Sequence, residues 1–141
     1  MTAPRFVVGV IGMIFRDDGH ILGLKRASDS QHWAGAWECV SGKVKIGEDP
    51  LQAVQREIKE ECGITVDIDP RPVDCFFATY GNEPMVLICF HCTHRNGEVA
   101  LSPEHDEYAW LSIDEFGERT TLPRLKQLAR TRSQPSRRKS V

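Results

Sequence analysis

Apolar and β-branched side chains dominate residues 5–15 and 20–26, and Asp17-Asp18-Gly19 lies between them as a hairpin signal. Residues 27–35 read as a loop and 36–41 as a short strand. Asp49-Pro50 then opens a helix: Asp is a favoured N-cap and Pro suits the first helical position. The apolar period carries that helix to Cys62, and Gly63 is a stop residue. Residues 64–69, 73–80 and 85–94 read as strands, Asn96-Gly97 turns the chain, and 98–101 and 107–112 read as further short strands. Residues 113–118 and 122–132 are helical in pattern. Strands and helices intermix without internal repeats, which predicts an α/β fold with a mixed sheet.

The 49–62 helix breaks local rules. At about 100° per residue, Leu51, Val54, Ile58 and Cys62 form one narrow apolar stripe that must pack on a sheet. Glu57, Glu60 and Glu61 fall together on an arc of roughly 100° beside that stripe. Glu57 and Glu61 are a like-charge i,i+4 pair, and both sit late in the helix, where the macrodipole disfavours negative charge. Two carboxylates about 6 Å apart at an effective dielectric near 20 repel by roughly 3 kcal/mol. Rules broken together point to function, and clustered oxygen donors suit a hard divalent cation such as Mg²⁺. The bland alternative is a solvated acidic face.

Composition narrows the class. The chain has 141 residues, 40% hydrophobic and 27% charged, the balance of a soluble globular protein with room for one domain. No apolar run approaches the about 20 residues of a membrane span, so no membrane partner is expected. The N-terminal run lacks a preceding positive cluster and reads as a strand, not a signal peptide. Five cysteines, an odd number without an export signal, read as free thiols in a reducing, cytoplasmic setting. Cys89-Phe-His-Cys92 does not make a zinc site, because strand alternation sends Cys89 and Cys92 to opposite faces.

The net charge of −2 hides an asymmetry. After Glu118 no acidic residue remains, whereas Arg119, Arg124, Lys126, Arg130, Arg132, Arg137, Arg138 and Lys139 follow. We expect a single domain over 1–132 and a basic tail over 133–141. The basic end either folds back on its own acidic body or is an arm for an anionic partner, and the bland reading is a solvated, partly disordered terminus.

Residues 42–64 read GKVKIGEDPLQAVQREIKEECGI, which is G-x5-E-x7-R-E-U-x-E-E-x-G-U with U apolar. Gly42, Glu48, Arg56, Glu57, Ile58, Glu60, Glu61, Gly63 and Ile64 fill every fixed position. A chance match in a chain of this length is on the order of one in 10⁸. The sequence resembles the Nudix hydrolases of the MutT-like type, which cleave nucleoside diphosphates linked to another moiety.

The resemblance implies an α/β/α sandwich around a central mixed sheet, with a loop–helix–loop that binds Mg²⁺ or Mn²⁺. It makes Glu57, Glu60 and Glu61 metal ligands, one of which helps deprotonate the attacking water. Arg56 and Glu48 would hold these carboxylates in position, and Gly42 and Gly63 would permit tight backbone turns. Many members carry Pro-Gly before the first glycine; here Val40-Ser41 stands there, and Ser41 supplies the carbonyl that the family uses as a ligand. A further acid outside residues 42–64, the Nudix box, would complete the site, and Glu104 or Glu107 is the candidate.

Arg26, Lys43 and Lys45 are candidate phosphate contacts. Trp33, Trp37, Phe76, Phe77 and Tyr80 are candidate platforms for the non-phosphate group, and Trp33 and Tyr80 are the expected substrate contacts among them. Trp110 reads as core.

The expected activity is metal-dependent hydrolysis of a phosphoanhydride in a nucleotide-like small molecule, such as a modified nucleoside triphosphate or a dinucleoside polyphosphate. Alternatives are an ADP-ribose or nucleotide-sugar pyrophosphatase, an RNA 5′-pyrophosphohydrolase drawing on the basic tail, or a silent nucleotide-binding module. Nucleic acid is not the expected partner, and small members of the family often form homodimers.

Overall fold

The first strand, β1 (Val7–Phe15), is apolar on both faces because both are covered. In the computed structural model, which describes residues 3–133, β1 runs parallel to the longest strand, β7 (Glu83–Asn96), from Val7↔Met85 to Phe15↔Thr93. Around this pair the other strands are antiparallel. β2 (Ile21–Arg26) meets β1 only at Phe15↔Ile21, beside the expected hairpin turn, and then diverges. The vacated edge of β1 is taken by β4 (Val40–Lys43), with Gly9↔Lys43 through Gly12↔Val40.

The expected strand at 36–41 is therefore two strands. β3 (Trp37–Glu38) pairs with β2, and Cys39 carries the chain across to β4 on β1. β5 (Thr65–Ile68) lies along the far half of β7 and β6 (Asp74–Tyr80) along its near half. β8 (His105–Leu111) closes on β2. The result is one mixed, eight-stranded sheet.

Helix α1 (Pro50–Cys62) covers one face, where Val54, Ile58 and Cys62 meet Val10, Ile14, Phe90 and Cys92 in a buried cluster. A Cβ at Gly12 would stand 3.0 Å from Val54 and 3.2 Å from Ile58, so the glycine allows the helix to sit directly on β1. Gly63 takes the left-handed conformation (φ 67°) and its N–H donates to the carbonyls of Ile58 and Lys59, ending α1 as expected.

Helices α2 (Ile113–Arg119) and α3 (Pro123–Ser133) cover the other face, packing Phe116, Leu125, Leu128 and Ala129 on Ile11, Met13, Phe15 and Cys89. This is the expected α/β/α sandwich. Cys89 and Cys92 fall in different core clusters, as strand alternation requires.

One expected strand is not present. Residues 98–101 form no ladder; instead Ala100 N–H donates to the Cys62 carbonyl (2.8 Å) and Ser102 N–H to that of Glu61 (3.3 Å). The segment satisfies carbonyls at the end of α1, where the helix has no partners of its own. It thereby ties the last turn of α1 to the start of β8. Of the basic end, Arg119 stacks over Trp37 and Arg124 over Phe76, so these two fold back on the domain. Of the tail expected over 133–141, Ser133 is the last residue of α3 and residues 134–141 lie outside the described residues. Among the described residues no helix is long and apolar enough to cross a membrane.

Truncating Ile58, 1% exposed at the centre of the α1 interface, removes buried contacts that cannot re-form. Ile58→Ala should lower stability by about 2–4 kcal/mol in urea unfolding; a loss below about 1 kcal/mol would contradict the packing described.

Candidate active site

Arg56 is the hub of the box. Its Nε and Nη2 donate to the two carboxylate oxygens of Glu48 at 2.8 and 3.0 Å. Nη1 donates to Glu57 (2.7 Å) and Glu60 (3.3 Å), and Nη2 also donates to the carbonyl of Lys43 (3.0 Å). One guanidinium therefore joins the helix, the loop before it and the end of β4. Its hydrogen bonds hold the Glu48 carboxyl down at about 2, helped by the N–H of Lys45.

Gly42 was expected to serve a turn, but it lies in β4 and its conformation is ordinary. Its reason is closeness. A Cβ there would fall 2.1 Å from Cδ of Glu57, so only hydrogen lets that carboxylate lie against the strand. Glu57 is pushed up by burial more than Arg56 draws it down.

Glu61 lies deeper. It is 3% exposed, and its Oε2 is buried without a hydrogen-bond partner. Burial, followed by repulsion from Glu57, Glu104 and Glu38, pushes its carboxyl up to about 10. Oxygens of Glu61 and Glu104 and a ring nitrogen of His105 lie within 4.8 Å of one another. The two acids left open by the sequence thus part company: Glu104 joins the cluster, whereas Glu107 is exposed on β8 and faces Lys25 at 3.9 Å. Glu60 is over half exposed and turns toward Arg56.

A cleft of about 480 Å³ opens beside these acids. Its lining includes Glu57, Glu104, Arg56, Ser41 and Gly42, and Met85, Leu87, Leu122 and Leu125 supply apolar wall. Arg26, Trp33, Lys43, Lys45 and Tyr80 all border it, so the structure brings these binding candidates together. Lys43 pairs with Glu83 at 2.7 Å on the rim. Trp37 is packed in the core beneath Arg119, Phe76 lies under Arg124, and Trp110 packs against the α1-side cluster. Phe77 is 62% exposed and away from the cleft.

Ser41 sits opposite Ile11 in regular strand pairing. Two residues at the site were not anticipated. Glu38 and His105 are buried on β3 and β8, 67 positions apart in sequence, and share a hydrogen bond of 2.9 Å.

A NUDIX domain family model matches residues 5–131. The chain belongs to the Nudix family. This Nudix chain is 34% identical over 118 residues to a MutT-like protein of Streptomyces ambofaciens, covering 84% of this chain and 71% of that one. It is 30% identical over 117 residues to the nucleoside triphosphatase NudI of Klebsiella pneumoniae, covering 76% and 83%. Among solved structures, the MutT protein of Methanosarcina mazei Go1 superposes with a TM-score of 0.80 at 27% identity, over 94% of this chain and 96% of that one. An Ap4A hydrolase of C. elegans gives 0.78 at 25% identity, over 88% and 93%. The Nudix chain described here is accordingly a hydrolase of the pyrophosphohydrolase class.

Glu61 has a consequence for stability. Its folded-state pKa stands above the ordinary glutamate value of 4.5, so the folded protein keeps a proton that the unfolded chain releases. This group therefore costs stability progressively as pH rises from about 4.5 toward 10, and costs nothing below that window. In chelator-treated buffer at pH 8, Glu61→Gln should be more stable than the parent by a few kcal/mol, with the difference vanishing near pH 4. Equal or lower stability of the variant at pH 8, read by urea unfolding, would contradict the burial cost.

Proposed function

We propose that this Nudix chain hydrolyses a phosphoanhydride bond of a nucleoside triphosphate or a related nucleoside diphosphate derivative, and that it requires Mg²⁺ or Mn²⁺. The observation that carries this reading is the buried, unpartnered oxygen of Glu61 close to Glu57 and Glu104, two acids that line a nucleotide-sized cleft. A buried carboxylate lacking a counter-charge costs stability unless a cation uses it. Oxygen donors from several carboxylates are the set that a hard divalent ion takes. Glu57, Glu61 and Glu104 would hold the ion, with Ser41 on the same cleft and Glu60 at the solvent side. A bound divalent cation supplies Lewis acidity toward phosphate oxygens and the attacking water.

The remaining work falls to the chain itself. Arg56 fixes Glu57 and Glu60 against rotation, so their carboxylates do not need to be ordered during the reaction. Lys43, Lys45 and Arg26 face the cleft and place positive charge where a phosphate chain would lie. The apolar wall takes the nucleoside and excludes water around it. A named nucleoside triphosphatase among the relatives favours triphosphates over nucleotide sugars. All five cysteines are free and four are buried, which suits a cytoplasmic enzyme.

Nucleoside triphosphates, oxidised dGTP, ADP-ribose, NADH and diadenosine polyphosphates should be assayed with Mg²⁺, Mn²⁺ or chelator, scoring phosphate, pyrophosphate and mononucleotide. We expect triphosphates to be cleaved only with the metal, and Glu61→Gln to lose turnover by orders of magnitude while remaining folded. Undiminished cleavage in chelator, or a Glu61→Gln enzyme near parental turnover, would overturn the reading.

Protons and cations compete for the Glu61 carboxylate. Activity should therefore rise from neutral to mildly alkaline pH, and raising Mg²⁺ should move the rising limb to lower pH. A limb that stays fixed as Mg²⁺ changes, in kcat/KM profiles at two concentrations, would remove Glu61 from cation binding.

A further inference from the structure

The loop over residues 27–36 borders the cleft and carries Trp33, 45% exposed and, among the described non-glycine residues, alone in having a positive φ (59°). A bulky residue in that conformation is strained, so the surroundings must hold it. Arg26 does so from below. Its Nε donates to the carbonyl of His32 (3.0 Å) and its Nη2 to Oγ of Ser30 (3.2 Å), while Ser30 Oγ donates to the same His32 carbonyl (2.7 Å). Nη1 donates to Oε2 of Glu38 at 3.1 Å. The same Oε2 lies 2.9 Å from Nε2 of His105, whose side chain is fully buried. A carboxylate acceptor fixes the tautomer here: Nε2 carries the proton and donates.

Two further bonds tie the loop to Glu104 and to the start of β8. Ala27 N–H donates to the Glu104 carbonyl (3.0 Å) and Ser28 N–H to Oδ2 of Asp106 (2.9 Å). On its open side the loop meets Tyr80. The His32 ring stands edge-on to it at 5.2 Å, and the Arg26 guanidinium lies over it at 5.7 Å. A Cβ at Gly81 would meet the His32 ring at 3.2 Å, which shows how closely the two rims approach.

We propose that Glu38 and His105 are positioning residues for nucleotide binding: together they clamp Arg26, so that the 27–36 loop with Trp33 stays seated against Tyr80 and the guanidinium's remaining N–H groups face the substrate's anionic chain. Three of the five N–H groups of a guanidinium are engaged by His32, Ser30 and Glu38, which leaves two for the cleft that Arg26 lines. Placing Glu38 among Glu61 and Glu104 adds repulsion to an already acidic site. The clamp on Arg26 accounts for retaining it. This inference rests on the nucleotide-hydrolase reading for its substrate, but the loop can be tested without one.

The test compares Glu38→Gln, His105→Leu and His105→Gln with the parent, by hydrogen exchange of the peptide over 27–36 and by steady-state kinetics on the best triphosphate. Glu38→Gln keeps shape and loses the charge, so it serves even where His105→Leu folds poorly. In Glu38→Gln and His105→Leu we expect faster exchange confined to 27–36, and KM raised about tenfold with kcat changed less than threefold. His105→Gln, which restores an N–H donor near the position of Nε2, should recover most of the protection and of the KM. Parental exchange in 27–36, a loss in kcat with KM unchanged, or no recovery by His105→Gln would overturn the proposal. A parent that cleaves no nucleotide would overturn the hydrolase reading instead, and the exchange data would still decide the role of Glu38 and His105.

Discussion

Mutual repulsion among carboxylates is the constraint to which the rest of this molecule answers. Glu38, Glu57 and Glu104 all repel Glu61 beside one cleft, and Glu38, Glu57 and Glu61 are largely buried. Two arginines flank them. Arg56 ties down Glu57 from the helix side, and Arg26 neutralises Glu38 from the strand side. Between the arginines, Glu61 keeps a buried oxygen with no donor. A folded chain keeps such a group at a cost, and a divalent cation would turn that cost into binding energy.

The fold delivers the acids by close approach. Gly12 lets α1 lie on β1, and Gly42 lets Glu57 lie on β4, so two hydrogens in place of side chains set the height of the helix above the sheet. Gly63 then ends the helix in the left-handed conformation. The 97–104 segment returns to the carbonyls of Glu61 and Cys62, which brings Glu104 beside Glu61. Backbone hydrogen bonds at a helix end therefore place an acid that the box itself does not contain.

Much of this was legible in the sequence, and the reasons differ by element. The box helix could be read because capping, period and stop signals agree at both ends, and its acids stood out because they violate that agreement. The strand order could not be read, because β1 pairs with β2 only at Phe15 and gives Gly9–Gly12 to β4, a choice made by tertiary pairing. The same cause split 36–41 into two strands. The residues at 98–101 have strand-like composition, but the carbonyls of α1 claimed their N–H groups. Glu104 and Glu107 are equivalent as letters; only the end of the ladder, where β8 begins at His105, separates an acid facing the cluster from one facing solvent. The pairing of Glu38 with His105 carried no local signal, since it is a contact between distant strands.

Burial among acids holds the Glu61 carboxyl above its ordinary range, and under the proposed function a divalent cation would restore it. Carbon-detected NMR of the glutamate carboxyls, titrated with pH in chelator and again with Mg²⁺, observes that group directly. The account predicts a Glu61 titration near 10 without the ion and an ionised carboxylate at neutral pH with it. A Glu61 carboxyl that titrates near 4.5 in both conditions would contradict it.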